Sequence, residues 1–146
     1  MALNLKHNET RSRALAYRGD IAICATREKW IKDVPEYAMP ALKILWEHRS
    51  LVPGYHGNIR DLYLALPFGK CVCVVEKIGC VSTNDDNGDD RSLTPTELEL
   101  GDYSVNRFYY PTTNLRVLRT PVSVIGKQGL FELPPDIEAA IRTQIG

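Results

Sequence analysis

The chain has 146 residues, 44% of them apolar and 25% charged, and its 18 basic and 18 acidic side chains leave no formal net charge. That size predicts one domain, residues 1–146, with enough core to fold without disulfide or metal staples. The charge balance excludes a polyanion binder steered by its overall field, so any nucleic-acid contact must come from a local patch. No apolar run approaches the ~20 residues of a membrane span. Met1 to Glu9 carry no signal-peptide core, so cytoplasmic residence is the expectation.

The charges are unevenly placed. Residues 1–32 hold seven Lys/Arg against three acids, whereas residues 84–102 hold seven acids against Arg91. A basic N-terminal patch and an acidic loop follow.

In chain order, residues 1–19 are polar and read as a loop or short strand. Residues 20–26 read as a buried strand, which Asp33-Val34-Pro35 separates from the next element. Ala38, Leu42, Leu45 and Trp46 recur at helical spacing and predict a helix over 36–49, with Pro40 in its tolerant first turn. Pro53, Gly54 and Gly57 mark a loop, and residues 62–66 read as a short extended stretch. Pro67-Phe68-Gly69 turns into a long strand, 70–81, interrupted only by Glu76 and Lys77. A solvated acidic loop spans 82–90. Its run Asp85-Asp86-Asn87-Gly88-Asp89 lacks the glycine and glutamate positions of a calcium-binding EF-hand.

A short helix is predicted from Thr94, which caps it while Glu97 completes a capping box. Residues 107–119 read as a strand broken at Pro111. Tyr109 and Tyr110 fall on opposite faces of it, one packed inward and one facing out. Residues 129–133 read as a last short strand. Pro134-Pro135-Asp136 starts a helix running to Ile145. Short strands and turn signals suit a small barrel with peripheral helices.

Cys24, Cys71, Cys73 and Cys80 lie in or beside β-branched stretches without metal or redox spacing, so they read as buried, reduced thiols, with Cys71 and Cys73 on one face. His7, His48 and His56 have no ligand company, so no metal and no cofactor is expected. No serine-hydrolase signature is present.

The chemistry concentrates in four short segments. In Lys6-His7-Asn8-Glu9-Thr10-Arg11 an ammonium, a carboxylate and a guanidinium fall within six residues. Glu9 and Arg11 share a face if the segment is extended, and Thr10 takes the other. Such a trio can hold phosphate, and a partly desolvated lysine beside a glutamate can act as base or nucleophile. Tyr17-Arg18-Gly19 offers an aromatic ring to stack a base and a cation for phosphate. Gly101-Asp102-Tyr103 with Arg107 offers a base-edge acceptor and a second ring. Gly126-Lys127-Gln128-Gly129 reads as a tight turn, with Lys127 a possible phosphate contact.

Together these segments resemble the ASCH domain, a small β-barrel family of the PUA-like group, over residues 6–134. The resemblance implies an α+β fold: a small PUA-like β-barrel with peripheral helices. It also implies that Lys6, Glu9 and Arg11 line a cleft as the family's K-x-x-E-x-R pattern does. Tyr17 and Arg18 would stand beside that cleft, and Tyr103 and Arg107 would match its usual aromatic and arginine.

Three functions follow as expectations. The first is a module binding RNA or a nucleobase or nucleoside through Arg11, Tyr17, Arg18, Asp102, Tyr103, Arg107 and Lys127. The second is a hydrolase acting on RNA or on a modified nucleoside, with Lys6 and Glu9 as the base and nucleophile pair. Family members include an amidohydrolase of acetylcytidine that uses lysine, threonine and glutamate, and Glu9 stands where its threonine would be. The third is a protein-interaction domain. Only Met1 to Leu5 precede Lys6, where relatives carry a strand and a helix, so an open sheet edge and a homodimer paired through it are expected.

Overall fold

The computed structural model describes residues 1–27, 36–53, 55, 57–85 and 93–146. Its five strands are β1 (Asn8–Arg11), β2 (Gly19–Cys24), β3 (Lys70–Lys77), β4 (Val81–Ser82) and β5 (Phe108–Ser123). Its four α-helices are α1 (Met39–Glu47), α2 (Ile59–Leu64), α3 (Pro95–Leu100) and α4 (Pro135–Ile145). The strands form one antiparallel sheet in the order β1-β5-β3-β2, with β4 also paired to β5. β1 and β2 stand at opposite ends of that order, so the sheet is open and not closed into a barrel.

β5 runs through Pro111 without the expected break. The carbonyl of Pro111 accepts from the Ile78 amide at 3.0 Å, so the backbone of Pro111 faces β3. There β3 has just ended, and Ile78-Gly79-Cys80 separates it from β4. The missing proline N–H therefore falls where no ladder bond is needed. The same interruption divides the strand expected over 70–81.

Two bulges, between Cys71 and Cys73 and between Val74 and Glu76, shift the β3–β5 register. The first also overturns the shared face expected for Cys71 and Cys73. Cys71 packs with Val74, Leu118, Val124 and Ile141 against α4, and Cys73 lies outside that cluster. Cys24 is half-buried and Cys80 is exposed, so only two of the four thiols are fully buried.

Ile137, Ile141 and Ile145, spaced by four, seat α4 on the cluster of Cys71, and Pro135 occupies the first turn of the helix. Phe131 and Leu133 reach the same cluster from irregular chain, not from the strand expected over 129–133. The stretch read as extended over 62–66 is largely helical. Asn58 caps α2 by accepting from Arg60 and Asp61, and Asp61 returns a bond to the Asn58 amide. This capping box turns Leu62 and Tyr63 onto Leu42 of α1, forming a second core. α1 is shorter than the helix expected over 36–49, with single 3-10 turns at Glu36–Ala38 and Arg49–Leu51 flanking it.

The break expected at Asp33 to Pro35, part of the basic segment, His56 and most of the acidic loop lie outside the described residues. Among the described residues no helix is long and apolar enough to cross a membrane.

Candidate functional site

β1 lies beside the first half of β5, with Glu9 opposite Tyr110 and Thr10 opposite Tyr109. Directly opposed residues share a face, so the two tyrosines point to opposite sides. Both are buried, contrary to the expectation that one faces out. On one side Tyr103 covers Tyr109, with the two rings 5.5 Å apart. On the other side residues 12–18 cover Tyr110. Its hydroxyl donates to the Arg13 carbonyl.

The organising group is one that sequence spacing misread. Thr94 caps α3 by accepting from the Glu97 amide at 3.2 Å, as expected. The Glu97 side chain does not return to Thr94. It crosses to β1 and accepts from the amides of His7 at 2.6 Å and Asn8 at 3.2 Å. The Tyr103 hydroxyl donates to it at 2.8 Å. The Lys6 ammonium lies 3.8 Å away and donates to the Asn8 carbonyl. Glu97 is fully buried, and its charge is held by these donors. It also occupies the outward N–H of Asn8, which blunts the β1 edge.

Burial pushes the Lys6 amine below the ordinary lysine value, opposed by the Glu9 and Glu97 carboxylates and aided by Arg11. Burial likewise raises the Tyr103 phenol, and its bond to Glu97 adds to this. Lys6 also lines a cavity of about 210 Å³ with His7, Val75, Thr112 and Asn114. Ligand pockets for small molecules usually enclose about 300–1,000 Å³. This one suits a single flat ring or one anionic group. A wider hollow of about 720 Å³ beside Arg49 and Tyr55 is lined by none of the motif residues, and its size alone does not recommend it.

Glu9 and Arg11 share a face and form an ion pair at 2.7 Å. Thr10 points the other way, where its hydroxyl accepts from the Asp102 amide at 3.2 Å. The carboxylate nearest the Lys6 nitrogen in the ion pairs is thus that of Glu97.

Residues 12–18 run as a strap along the sheet, held by a lysine. Lys77 is 1% exposed, and its ammonium donates to the carbonyls of Leu15 at 2.8 Å and Tyr17 at 2.7 Å. The same nitrogen sits 4.6 Å from the centre of the Tyr110 ring. These partners satisfy an otherwise costly buried charge. Burial still pushes its amine down. Arg11, Arg13, Tyr17 and Arg18 are left exposed along the strap. The Tyr17 hydroxyl donates to the Asp20 carbonyl at 3.0 Å, folding the ring over Gly19, whose φ of +124° a side chain rarely adopts.

The remaining expected contacts are engaged elsewhere. Asp102 pairs with Arg107 at 3.1 Å. It also accepts from the Ser104 amide and hydroxyl, which hold its carboxyl below the usual range. Tyr103 is bound to Glu97 and packed on Tyr109, so its ring is not a free stacking surface. Lys127 is exposed beyond the far end of β5 from β1. The structure therefore brings Lys6 and Tyr103 together on Glu97 and pairs Glu9 with Arg11, while Tyr17 and Arg18 lie on the strap and Lys127 lies apart.

Asn8, Arg13, Lys77 and Glu97 were missed from sequence. A charge inside an apolar strand was the signal for Lys77. Nothing local signalled Glu97 as a tie to β1, because the His7 amide it binds lies 90 residues away. Among the described residues no three His, Cys, Asp or Glu side chains converge as a metal site. The chain matches no protein-family model and no curated protein sequence.

Proposed function

We propose that this protein is a nucleic-acid-binding module of the ASCH kind, a PUA-like fold with its barrel left open. It accepts single-stranded RNA or a nucleoside. The observation that carries this reading is the Lys6 ammonium, held by buried Glu97 at the edge of a ring-sized cavity, in a chain that also exposes the arginines of the strap. A base or its phosphate enters the cavity. Arg11, Arg13 and Arg18 track the backbone, and Tyr17 stacks an adjacent base.

The lowered amine of Lys6 favours a second reading, a hydrolase acting on RNA or on a modified nucleoside. In that reading Lys6 is the base, and its nearest carboxylate is Glu97 in place of Glu9.

Binding and cleavage of a labelled single-stranded RNA test both. Affinity is expected to fall with salt, and Arg18→Ala to reduce the log–log slope by about 0.7 for a lost phosphate contact. Lys6→Ala and Arg11→Ala are expected to weaken binding. Turnover lost in Lys6→Ala would establish the hydrolase. Salt-independent affinity, or affinity untouched by all three substitutions, would overturn the proposal.

A further inference from the structure

The ladder between β2 and β3 sets Cys24 directly opposite Cys71. Beside them the Ala25 amide donates to the Lys70 carbonyl at 2.9 Å and the Gly69 amide to the Thr26 carbonyl at 2.8 Å, just past a register shift between Ile23 and Cys24. Directly opposed residues of an antiparallel pair bring their Cα atoms to ~4.5–5.5 Å, bonded or not. That spacing falls inside the ~4.4–6.8 Å a disulfide spans. Both thiols are free; that of Cys24 reaches the Ala22 carbonyl at 4.0 Å and that of Cys71 the Cys73 carbonyl at 3.7 Å.

Their surroundings differ in a way that assigns roles. Cys71 is fully buried in the core under α4, whereas Cys24 is half-buried at the rim of that core. The neighbouring Cys71 thiol holds the Cys24 thiol below its ordinary value. The neighbouring Cys24 thiol and burial push the Cys71 thiol up. Reactive cysteines need access, and of the two Cys24 is the accessible one.

We propose that Cys24 and Cys71 form a peroxide-sensitive dithiol that closes reversibly into an intrachain disulfide joining β2 to β3. The Cys24 thiolate attacks one oxygen of hydrogen peroxide. The O–O bond breaks, hydroxide leaves and takes up a proton as water, and Cys24 becomes a sulfenic acid. The Cys71 sulfur then attacks the Cys24 sulfur. The S–S bond forms, the S–O bond breaks, and the hydroxyl leaves with the Cys71 proton as a second water. Two thiols are oxidised by two electrons and the peroxide is reduced by two. A small-molecule thiol reverses the closure by exchange. The bond would pin the last residue of an edge strand to the centre of the sheet.

The test is peptide mapping of the whole chain after mild peroxide treatment, alkylation of residual thiols and tryptic digestion without reduction. The expected product joins Gly19–Arg27 to Cys71–Lys77, is lighter than the two peptides by two hydrogens, and disappears on reduction. It is expected to persist in Cys73→Ser and in Cys80→Ser, and to be lost in Cys24→Ser, a half-buried and tolerant position. Fragmentation assigning the link to Cys73 would overturn the proposal. So would Cys24 oxidised to sulfinic acid without a cross-link, or oxidation confined to exposed Cys80.

Discussion

Replacing Glu97 by alanine removes the acceptor of three donors and the partner of a fourth. The Asn8 amide is buried and has no route to water, and the Tyr103 hydroxyl is partly buried. The His7 amide sits in a more open setting. A buried donor left unsatisfied costs about 1–3 kcal/mol, and breaking a buried charged pair by removing one partner costs about 3–5 kcal/mol. Lys6 retains some contact with solvent and the His7 amide can recover water, so the expected loss is about 3–5 kcal/mol. Glu97→Gln keeps the shape and one accepting oxygen, but turns an NH2 group toward a donor. It should cost about 1–3 kcal/mol. Denaturant unfolding of both variants measures the loss, and amide exchange locates it at His7, Asn8 and the start of β1. An alanine variant within about 0.5 kcal/mol of wild type, the range of ordinary surface substitutions, would refute the reasoning. So would unchanged protection of the Asn8 amide.

The other predictions concern the strap and the sheet edge. Lys77→Met keeps the stem but removes two bonds to the strap, so it should cost about 1–3 kcal/mol and speed amide exchange across residues 12–18. Unchanged exchange there would mean that the strap holds itself. Gly19→Ala must place a methyl group 2.9 Å from the Tyr17 hydroxyl at a φ of +124°. It should destabilise by about 1–3 kcal/mol in thermal unfolding. Asp20 accepts a forked pair of bonds from Arg116, one of them at 3.0 Å, which holds its carboxyl below the usual value. Being about half exposed, the pair should contribute only about 0.2–1 kcal/mol, read as the loss in Asp20→Asn. A depressed carboxyl stabilises above its unfolded value of 3.8 and loses that contribution as pH falls through the folded value. The gap between wild type and Asp20→Asn should therefore be full at neutral pH and close under acid. A gap that widens below pH ~4 would contradict the linkage.

The parts legible in the sequence are those governed by neighbours along the chain. Period-two alternation put Glu9 and Arg11 on one face and Thr10 on the other. The Thr94 cap, the Pro135 start of α4 and the apolar run of β3 needed no distant contact. Even the missed α2 helix had its signal in Asn58 and Asp61, but the short apolar run beyond them fits a strand as well as a helix.

Tertiary structure decided what depends on which face is covered and on what crosses the ladder. Capping arithmetic placed Glu97 at the start of a helix, yet its carboxylate bonds β1. Asn8, whose amide it takes, is buried there, whereas Thr94 is exposed. Tyr109 and Tyr110 alternate as the strand requires, but both are inside because Tyr103 covers one and the strap the other. Pro111 breaks no strand because its absent donor falls at the gap between β3 and β4. Alternation and capping depend on bonds between near neighbours. The state of Glu97, Lys77 and the two tyrosines depends on desolvation, which is set only when distant segments close over them.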